Sequence, residues 1–167
     1  MRPKEHLIYG SLASAALYPV MGVNAVFFWG ASFAIDIDHY LDFLYHNGFK
    51  DFSVKKMLDY HAALEGFWFR PEFLNIEVFH CAEFIMPFYL ITRLTGSAAM
   101  TALFWGLVFH IVLDMVFLWR LNIFSNRAHS FAEYFLRKRS MEKRGLYPSS
   151  LYSEAVRIIN MPEYTGN

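Results

Sequence analysis

The chain has 167 residues, of which 56% are hydrophobic and 19% aromatic, while only 18% are charged. This composition excludes a disordered chain, because disorder requires low hydrophobicity and high net charge. Fifteen Lys and Arg residues balance fifteen Asp and Glu residues, so the overall charge gives no indication of nucleic-acid binding, and the single Cys81 excludes an intrachain disulfide. The class that these numbers favour is a small, all-α integral membrane protein.

The first apolar region carries no charged residue between Glu5 and Asp36. Pro19 and Gly22 interrupt it, and these residues typically end helices, so the pattern predicts two short helices joined by a tight turn. Each arm has fewer than the roughly 20 residues that a bilayer core requires. The sequence therefore leaves open whether this hairpin spans the membrane fully.

The second apolar region extends from Phe73 to Trp119 and contains a break at residues 94–97, which include Gly96. Its two arms, 73–94 and 97–119, are each long enough to span a bilayer. We therefore predict a membrane-embedded bundle of about four helices in two antiparallel hairpins over residues 1–119. Residues 120–167 are predicted to form a cytoplasmic part with a basic amphipathic helix and a tail.

The regions outside the apolar arms contain most of the lysines and arginines. These residues precede the first arm, lie in the 36–72 connection and follow the last arm, so the positive-inside rule places both termini and the connection in the cytoplasm. Ser53 is predicted to cap a helix through Leu64, and Ser150 to cap a last short helix. The basic stretch 126–145 fits a helix on an anionic membrane surface and a solvated helix equally well. A secretory signal over residues 1–16 is the alternative for the N-terminus.

Nine ionisable residues fall in one layer when each helical pair is folded about its turn. They are His6, Asp36, Asp38, His39, Glu77, His80, Glu83, His110 and Asp114. Helical spacing places His80 and Glu83 on one face, and His110 and Asp114 on another. By the charge distribution, this layer lies at the cytoplasmic side.

Imidazole nitrogens and carboxylate oxygens are the ligands of zinc, manganese and non-haem iron. Because ionisable groups at membrane depth are costly, they normally face a partner, a cavity or a metal. The layer therefore predicts a site for one or two divalent ions, with zinc first and manganese or iron as alternatives. Salt bridges between helices without a metal are the competing interpretation. His46, His61 and His129 are predicted to be ordinary surface residues.

The order of four short motifs resembles the bacterial inner-membrane family of membrane-bound metal-dependent hydrolases, which is distantly likened to zinc-dependent phospholipase C. The motifs are His6-x-x-x-Gly10, Asp36-Ile37-Asp38-His39, Phe79-His80-Cys81 and His110-x-x-x-Asp114. Ile35, Asn75 and Cys81 depart from the family pattern. The resemblance implies a multi-pass inner-membrane protein, and it implies metal ligands at His6, Asp36, Asp38, His80, His110 and Asp114, with His39 also matching.

Three functions compete at this level. The first is a metal-dependent hydrolase at the cytoplasmic membrane face, acting on a lipid phosphoester or acyl bond, with Glu83 or Glu77 as the general base. The second is a di-iron membrane oxidase, suggested by the E-x-x-H spacing of Glu77 and His80. The third is a non-enzymatic metal-binding protein or carrier. Membrane lipid is the predicted substrate or surroundings, and no nucleotide-binding loop or serine elbow is present.

Overall fold

The structure, a computed structural model, describes residues 3–161 of the chain. Helices dominate it, and the only strands in this range are two segments of two residues each. The helices are α1 (Pro3–Met21), α2 (Ala25–Ala34), α3 (Ile37–His46), α4 (Val54–Glu65), α5 (Ala82–Thr95), α6 (Ala98–Arg120), α7 (Phe131–Glu142) and α8 (Pro148–Ile159), and the strands are β1 (Asn75–Ile76) and β2 (Arg127–Ala128). The predicted all-α class is confirmed.

Two compact units make up the described chain. The first unit comprises the chain up to Asp36 together with Val78–Phe124, and the second comprises Ile37–Glu77 together with the chain from Ser125 onward. This division differs from the predicted boundary between residues 119 and 120, because the 37–77 connection packs with the C-terminal part. Residues 1–2 and 162–167, at the ends of the two predicted segments, lie outside the described residues.

The first hairpin of the first unit breaks in the region that the sequence predicts. Helix α1 continues through Pro19 to Met21, and a 3-10 turn over Gly22–Asn24 leads into α2, which packs against α1. Gly22 has a φ of +55°, a left-handed conformation that residues with a Cβ rarely adopt. The glycine, not the proline, therefore marks the end of the helix.

The second hairpin turns at Gly96, whose φ is +60°, and Ser97 caps α6 by accepting a hydrogen bond from the backbone N–H of Met100. This predicted break is confirmed. The predicted helical arm from Phe73 is wrong, because α5 begins only at Ala82. Residues 73–81 instead contain β1 and a 3-10 turn over Val78–His80.

Helix α2 packs against both α1 and α6, and two glycines permit a close approach. A Cβ at Gly106 of α6 would overlap the carbonyl oxygen of Phe28 and lie 2.9 Å from the Cβ of Ala31. A Cβ at Gly10 of α1 would overlap the hydroxyl of Ser32. The absence of a side chain at these two positions allows three helices to approach closely near the ends that carry the candidate ligands.

The second unit has a core formed by α3, α4 and α8. Its largest fully buried side chains include Phe43 and Tyr60, and Tyr152 of α8 packs in the same cluster. Ser53 caps α4 and Ser130 caps α7 through their hydroxyls, which confirms the predicted α4. The predicted cap at Ser150 is wrong, because α8 already begins at Pro148.

The two short strands of the second unit pair in parallel, with Asn75 opposite Arg127 and Ile76 opposite Ala128. Helix α7 packs beside them, over a small core of Leu74, Ala128 and Met141. This pairing joins two chain segments that lie about fifty residues apart, and it places the backbone of Arg127 next to the segment that carries Glu77.

Two segments are long and apolar enough to cross a membrane, by length and composition alone: Lys4–His46 and Ala98–Arg120. Within the most apolar 18 residues of each segment, only 28% and 33% of the residues, respectively, are buried inside the protein. Two candidate spans are fewer than the predicted bundle requires. A fully spanning four-helix bundle therefore remains a prediction.

Candidate metal site

Four of the predicted ligands come together within the first unit. His6 lies in the first turns of α1, Asp36 follows the end of α2, and His110 and Asp114 lie one turn apart on α6. His6, His110 and Asp114 are buried, whereas the side chain of Asp36 is 13% exposed. The site is thus assembled from α1, the end of α2 and α6, and Asp36 is its most exposed member.

The distances within this group match those of ligands on a shared ion. His6 Nε2 lies 3.0 Å from Asp114 Oδ1, and His110 Nε2 lies 3.1 Å from Asp36 Oδ1. One ligand atom from each of the four residues lies within 4.8 Å of the others. Because metal–ligand bonds to N and O are about 2.0–2.2 Å long, two ligands of one ion are roughly 3–4 Å apart. The four residues can therefore hold a metal ion.

The orientation of the imidazoles fits this interpretation. His110 donates a hydrogen bond from Nδ1 to the backbone carbonyl of Ser32 at 2.8 Å, which directs Nε2 toward the carboxylates. The rings of His6 and His110 are stacked, with centroids 3.7 Å apart and an angle of 13° between their planes. Among the described residues, both nitrogens of His6 and Nε2 of His110 have no hydrogen-bond partner, although they are buried.

These buried nitrogens without hydrogen bonds indicate that the site can accommodate a metal. A buried polar atom without a hydrogen bond is costly, and the short contacts to Asp114 and Asp36 do not have hydrogen-bond geometry. A metal that accepts the Nε2 lone pairs removes this cost. Two imidazoles and two carboxylates form a donor set typical of zinc, manganese or iron.

His80 lies at the edge of the group. It is buried in the 3-10 turn before α5, its Nε2 is 3.6 Å from Asp114 Oδ2, and its ring centroid is 5.2 Å from that of His110. The helical spacing that paired His80 with Glu83 is not formed, because His80 precedes the helix. Glu83 is exposed in the first turn of α5, and it belongs to no candidate metal group within residues 3–161.

Glu77 lies in the second unit and belongs to an ion pair. Its two carboxylate oxygens lie 2.8 and 2.7 Å from Nη2 of Arg127, and Oε1 also accepts a hydrogen bond from Nδ2 of Asn75 at 2.9 Å. Arg127 is buried, although it belongs to the basic stretch 126–145, for which the sequence favours a membrane surface or solvent. No local sequence pattern indicates this pair, because fifty residues separate its members.

The E-x-x-H spacing of Glu77 and His80 does not lie on a helix. Glu77 follows β1 and His80 ends a 3-10 turn, so the two side chains do not occupy one helical face as bundle di-iron sites require. The helical basis for the di-iron hypothesis is therefore wrong.

The other predicted ligands of the second unit are Asp38 and His39, in the first turn of α3. Asp38 is buried, and Nδ1 of the half-buried His39 lies 3.9 Å from Oε1 of Glu77. His61 donates a hydrogen bond from Nε2 to the carbonyl of His39 at 2.8 Å. Burial, together with the neighbouring His39, lowers the pKa of His61 to about 4. His46, His61 and His129 are all partly buried, and none of them belongs to a candidate metal group within residues 3–161.

Comparisons of this chain with models of protein families, with curated proteins and with solved structures give no match. The resemblance to metal-dependent membrane hydrolases therefore rests on the four motifs alone. The geometry of the first unit stands independently of it.

Proposed function

We propose that this protein is a membrane-bound metal-dependent hydrolase that acts at the cytoplasmic membrane face on a phosphoester or acyl bond of a lipid. The observation that supports this most directly is the buried group of His6, Asp36, His110 and Asp114, whose donor atoms lie within 4.8 Å of one another. The four motifs of the hydrolase family include the same four residues.

The charge of the group favours a divalent cation. Two carboxylates close together in a buried site repel each other, and desolvation adds to the cost unless a counter-charge is present. A divalent ion held by these residues supplies that charge, and it also supplies a Lewis acid that lowers the pKa of a water to about 7 and polarises the scissile bond.

The chain's own residues have distinct tasks in this proposal. The carbonyl of Ser32 fixes the orientation of His110 by accepting the hydrogen bond from Nδ1, as second partners of metal-binding histidines commonly do. His6, His110 and Asp114 exclude water through their burial. The partly exposed carboxylate of Asp36 marks the side from which substrate and water reach the site.

The proposed base differs from the two glutamates that the sequence favoured. Arg127 engages both carboxylate oxygens of Glu77, and Glu83 is exposed at the start of α5. His80 lies closer to the group, with Nε2 3.6 Å from Asp114 Oδ2. We assign to Nε2 of His80 the task of accepting a proton from the attacking water.

The membrane position of the site rests on the candidate spans and the charge distribution. His6 and Asp36 lie at the ends of α1 and α2 remote from the Gly22 turn, and His110 lies in the half of α6 remote from the Gly96 turn. The lysines and arginines, apart from Arg93 near the Gly96 turn, also lie beyond these ends in sequence. The positive-inside rule then puts the site at the cytoplasmic side, with both termini.

The experiment compares purified wild type with His110→Ala for metal content and for release of headgroup or fatty acid from labelled phospholipid. We expect wild type to contain a divalent metal and to hydrolyse lipid, and the variant to lose both. His129→Ala removes an imidazole of the second unit and is the matched control, which should retain both. Unchanged lipid hydrolysis by His110→Ala would contradict the proposal.

A metal-flux assay in liposomes, added to these two measurements, separates the enzyme from a non-enzymatic metal-binding protein or carrier. The buried group supports metal binding in either case. A wild-type protein that holds its metal, releases no product and moves metal into liposomes would favour the carrier. Metal content without flux, together with lipid hydrolysis, would favour the enzyme.

A further inference from the structure

An open groove lies along the α1–α2 hairpin of the first unit, outside the candidate metal site. Small residues line it on α1, namely Ser11, Ser14 and Ala15, and Val26 and Trp29 line it on α2. Its volume is about 730 Å³, which lies within the range of about 300–1,000 Å³ typical of small-molecule sites. Tyr18 of α1 and Ala25 of α2 also line the groove.

Three polar side chains of the groove, Ser11, Ser14 and Trp29, form hydrogen bonds inside the hairpin. Trp29 donates from Nε1 to the hydroxyl of Ser11 at 3.0 Å, Ser11 donates to the carbonyl of Leu7, and Ser14 donates to the carbonyl of Ala25 at 2.8 Å. None of the lining residues is acidic or basic. A ligand in this groove therefore meets an apolar surface without charge, and this surface fits a hydrocarbon chain better than a polar molecule.

The surroundings of the groove indicate the same occupant. The hairpin belongs to the candidate span Lys4–His46, whose most apolar window is only 28% buried. Large apolar side chains of the hairpin are exposed both in the lining, at Val26, and outside it, at Leu12. A surface of this kind is unfavourable in water and favourable in the hydrocarbon of a bilayer.

The groove ends a short distance along the helix axes from two residues of the metal site. Ser11 follows His6 by five residues and Trp29 precedes Asp36 by seven residues. At 1.5 Å per residue these separations are about 8 and 10 Å along the helix axes. A chain lying in the groove would therefore have its polar end near the His/Asp group.

We infer that this groove binds one acyl chain of the lipid substrate and presents the polar end of that lipid to the candidate metal site. The inference rests on the proposed function for the identity of the substrate. It is supported by the apolar lining of the groove, by the hydrogen bonds of Ser11, Ser14 and Trp29 within the hairpin, and by the short axial separation from Asp36. The groove thus favours a lipid with a long acyl chain over a short-chain, water-soluble ester.

The test uses an ether-linked phosphatidylcholine with a photoactivatable diazirine in the middle of one chain, because this lipid cannot lose that chain by ester hydrolysis. Light should attach the probe to α1 or α2 of the wild type, as mapped by peptide mass spectrometry, and excess unlabelled lipid should suppress the labelling. Ala15→Trp and, from the opposite side, Val26→Trp fill the groove and should lose this labelling. Leu12→Trp places the same bulk on α1 at a residue outside the lining and is the matched control.

The outcomes separate this inference from the proposed function. Labelling of the groove that Ala15→Trp and Val26→Trp abolish, with metal content unchanged in both, supports the inference even if no lipid is hydrolysed. Equal labelling in wild type and both filled variants overturns it, as does labelling that unlabelled lipid does not suppress. Lipid hydrolysis by the wild type combined with either of those results would overturn the groove alone and leave the hydrolase intact.

Discussion

The second unit buries the carboxylate of Glu77 beside an arginine of its own chain, whereas the first unit buries Asp114 among imidazoles. Glu77 has Arg127 at 2.7 Å, so a fixed positive charge balances it. Asp114 has Nε2 atoms of His6, His80 and His110 at 3.0, 3.6 and 3.6 Å. Imidazoles balance a carboxylate only when they are protonated or when they share a cation with it.

This difference shows why similar residue types serve different ends in the two units. An arginine beside an acid supplies a permanent counter-charge, because the guanidinium is always protonated, and Arg127 also donates a hydrogen bond to Oε1 of Glu77. Acids surrounded by histidines form a donor set that a divalent metal can use. The distinction between the two carboxylates therefore depends on the guanidinium of Arg127.

The largest effect is expected for Asp114→Asn, which keeps the shape of the side chain and removes its charge. We expect bound metal to fall from about one ion per chain to less than about a tenth of that. The substitution removes one ligand and one of the two carboxylate charges of the group. Elemental analysis of the purified protein measures this. Glu154→Gln, which changes an acid of the second unit paired with Arg70, should keep its metal. Full metal content in Asp114→Asn would remove the contrast between the units.

A large loss of stability is expected for Arg127→Met, without loss of metal. The substitution leaves Glu77 buried without its guanidinium, and breaking a buried ion pair costs about 3–5 kcal/mol. Chemical unfolding followed by circular dichroism gives the free energy of unfolding, and elemental analysis gives the metal content. The double variant Glu77→Gln/Arg127→Met should recover part of the loss. A change below about 1 kcal/mol in the single variant would contradict a structural role for this pair.

A smaller loss is expected for Gly106→Ala, which adds a Cβ where the carbonyl of Phe28 lies. Helices α2 and α6 would have to separate, at a cost of about 1–3 kcal/mol, and metal content should fall because Asp36 and His110 would move apart. Gly30→Ala is the matched control on α2, since no atom lies within 4 Å of its added Cβ. Because alanine has a higher helix propensity than glycine, the free energy of unfolding of Gly30→Ala should be unchanged or slightly raised. Equal stability of the two variants would exclude the close approach.

The smallest effect concerns Glu133 at the start of α7. Burial acts to raise its pKa, but hydrogen bonds from the backbone N–H of His129 and from Arg137 outweigh burial and hold the pKa below its usual value. A carboxylate with a lowered pKa contributes stability above its unfolded value near 4.5 and loses this contribution as the pH falls through its folded pKa.

The measurement compares wild type with Glu133→Gln. The difference in unfolding free energy should be about 0.5 kcal/mol at pH 7, because the pair is partly exposed, and it should shrink in high salt. It should also disappear in acid, where the glutamate is protonated in both states. A difference that grows as the pH falls would contradict the assigned cause.

The sequence predicts the candidate site of the first unit well because that site depends on local spacing and on turns. Gly22 and Gly96 mark both breaks, and the four-residue spacing of His110 and Asp114 places them on one face of α6. Folding the chain about two identified turns is then sufficient to bring His6 and Asp36 to the same end. Helical periodicity and glycine punctuation are strong local signals.

The second unit was not predictable in the same way because long-range contacts determine it. The apolar residues of 73–81 fit a helix as well as they fit a strand and a 3-10 turn, and only the pairing of β1 with β2 decides between them. The burial of Arg127 likewise depends on Glu77, fifty residues earlier. A surface charge and a buried one look alike in sequence until the partner is known.

The division into two units has a consequence for biosynthesis, because each unit is assembled from two separate stretches of chain. Helices α3 and α4 leave the ribosome well before α8, so Phe43 and Tyr60 lack part of their apolar cover until Tyr152 has been made. Contacts of such sequence separation form late and slowly. A gene truncated after residue 120 would thus yield a nascent chain with an exposed apolar surface, a natural target for chaperones and membrane proteases rather than a usable fragment.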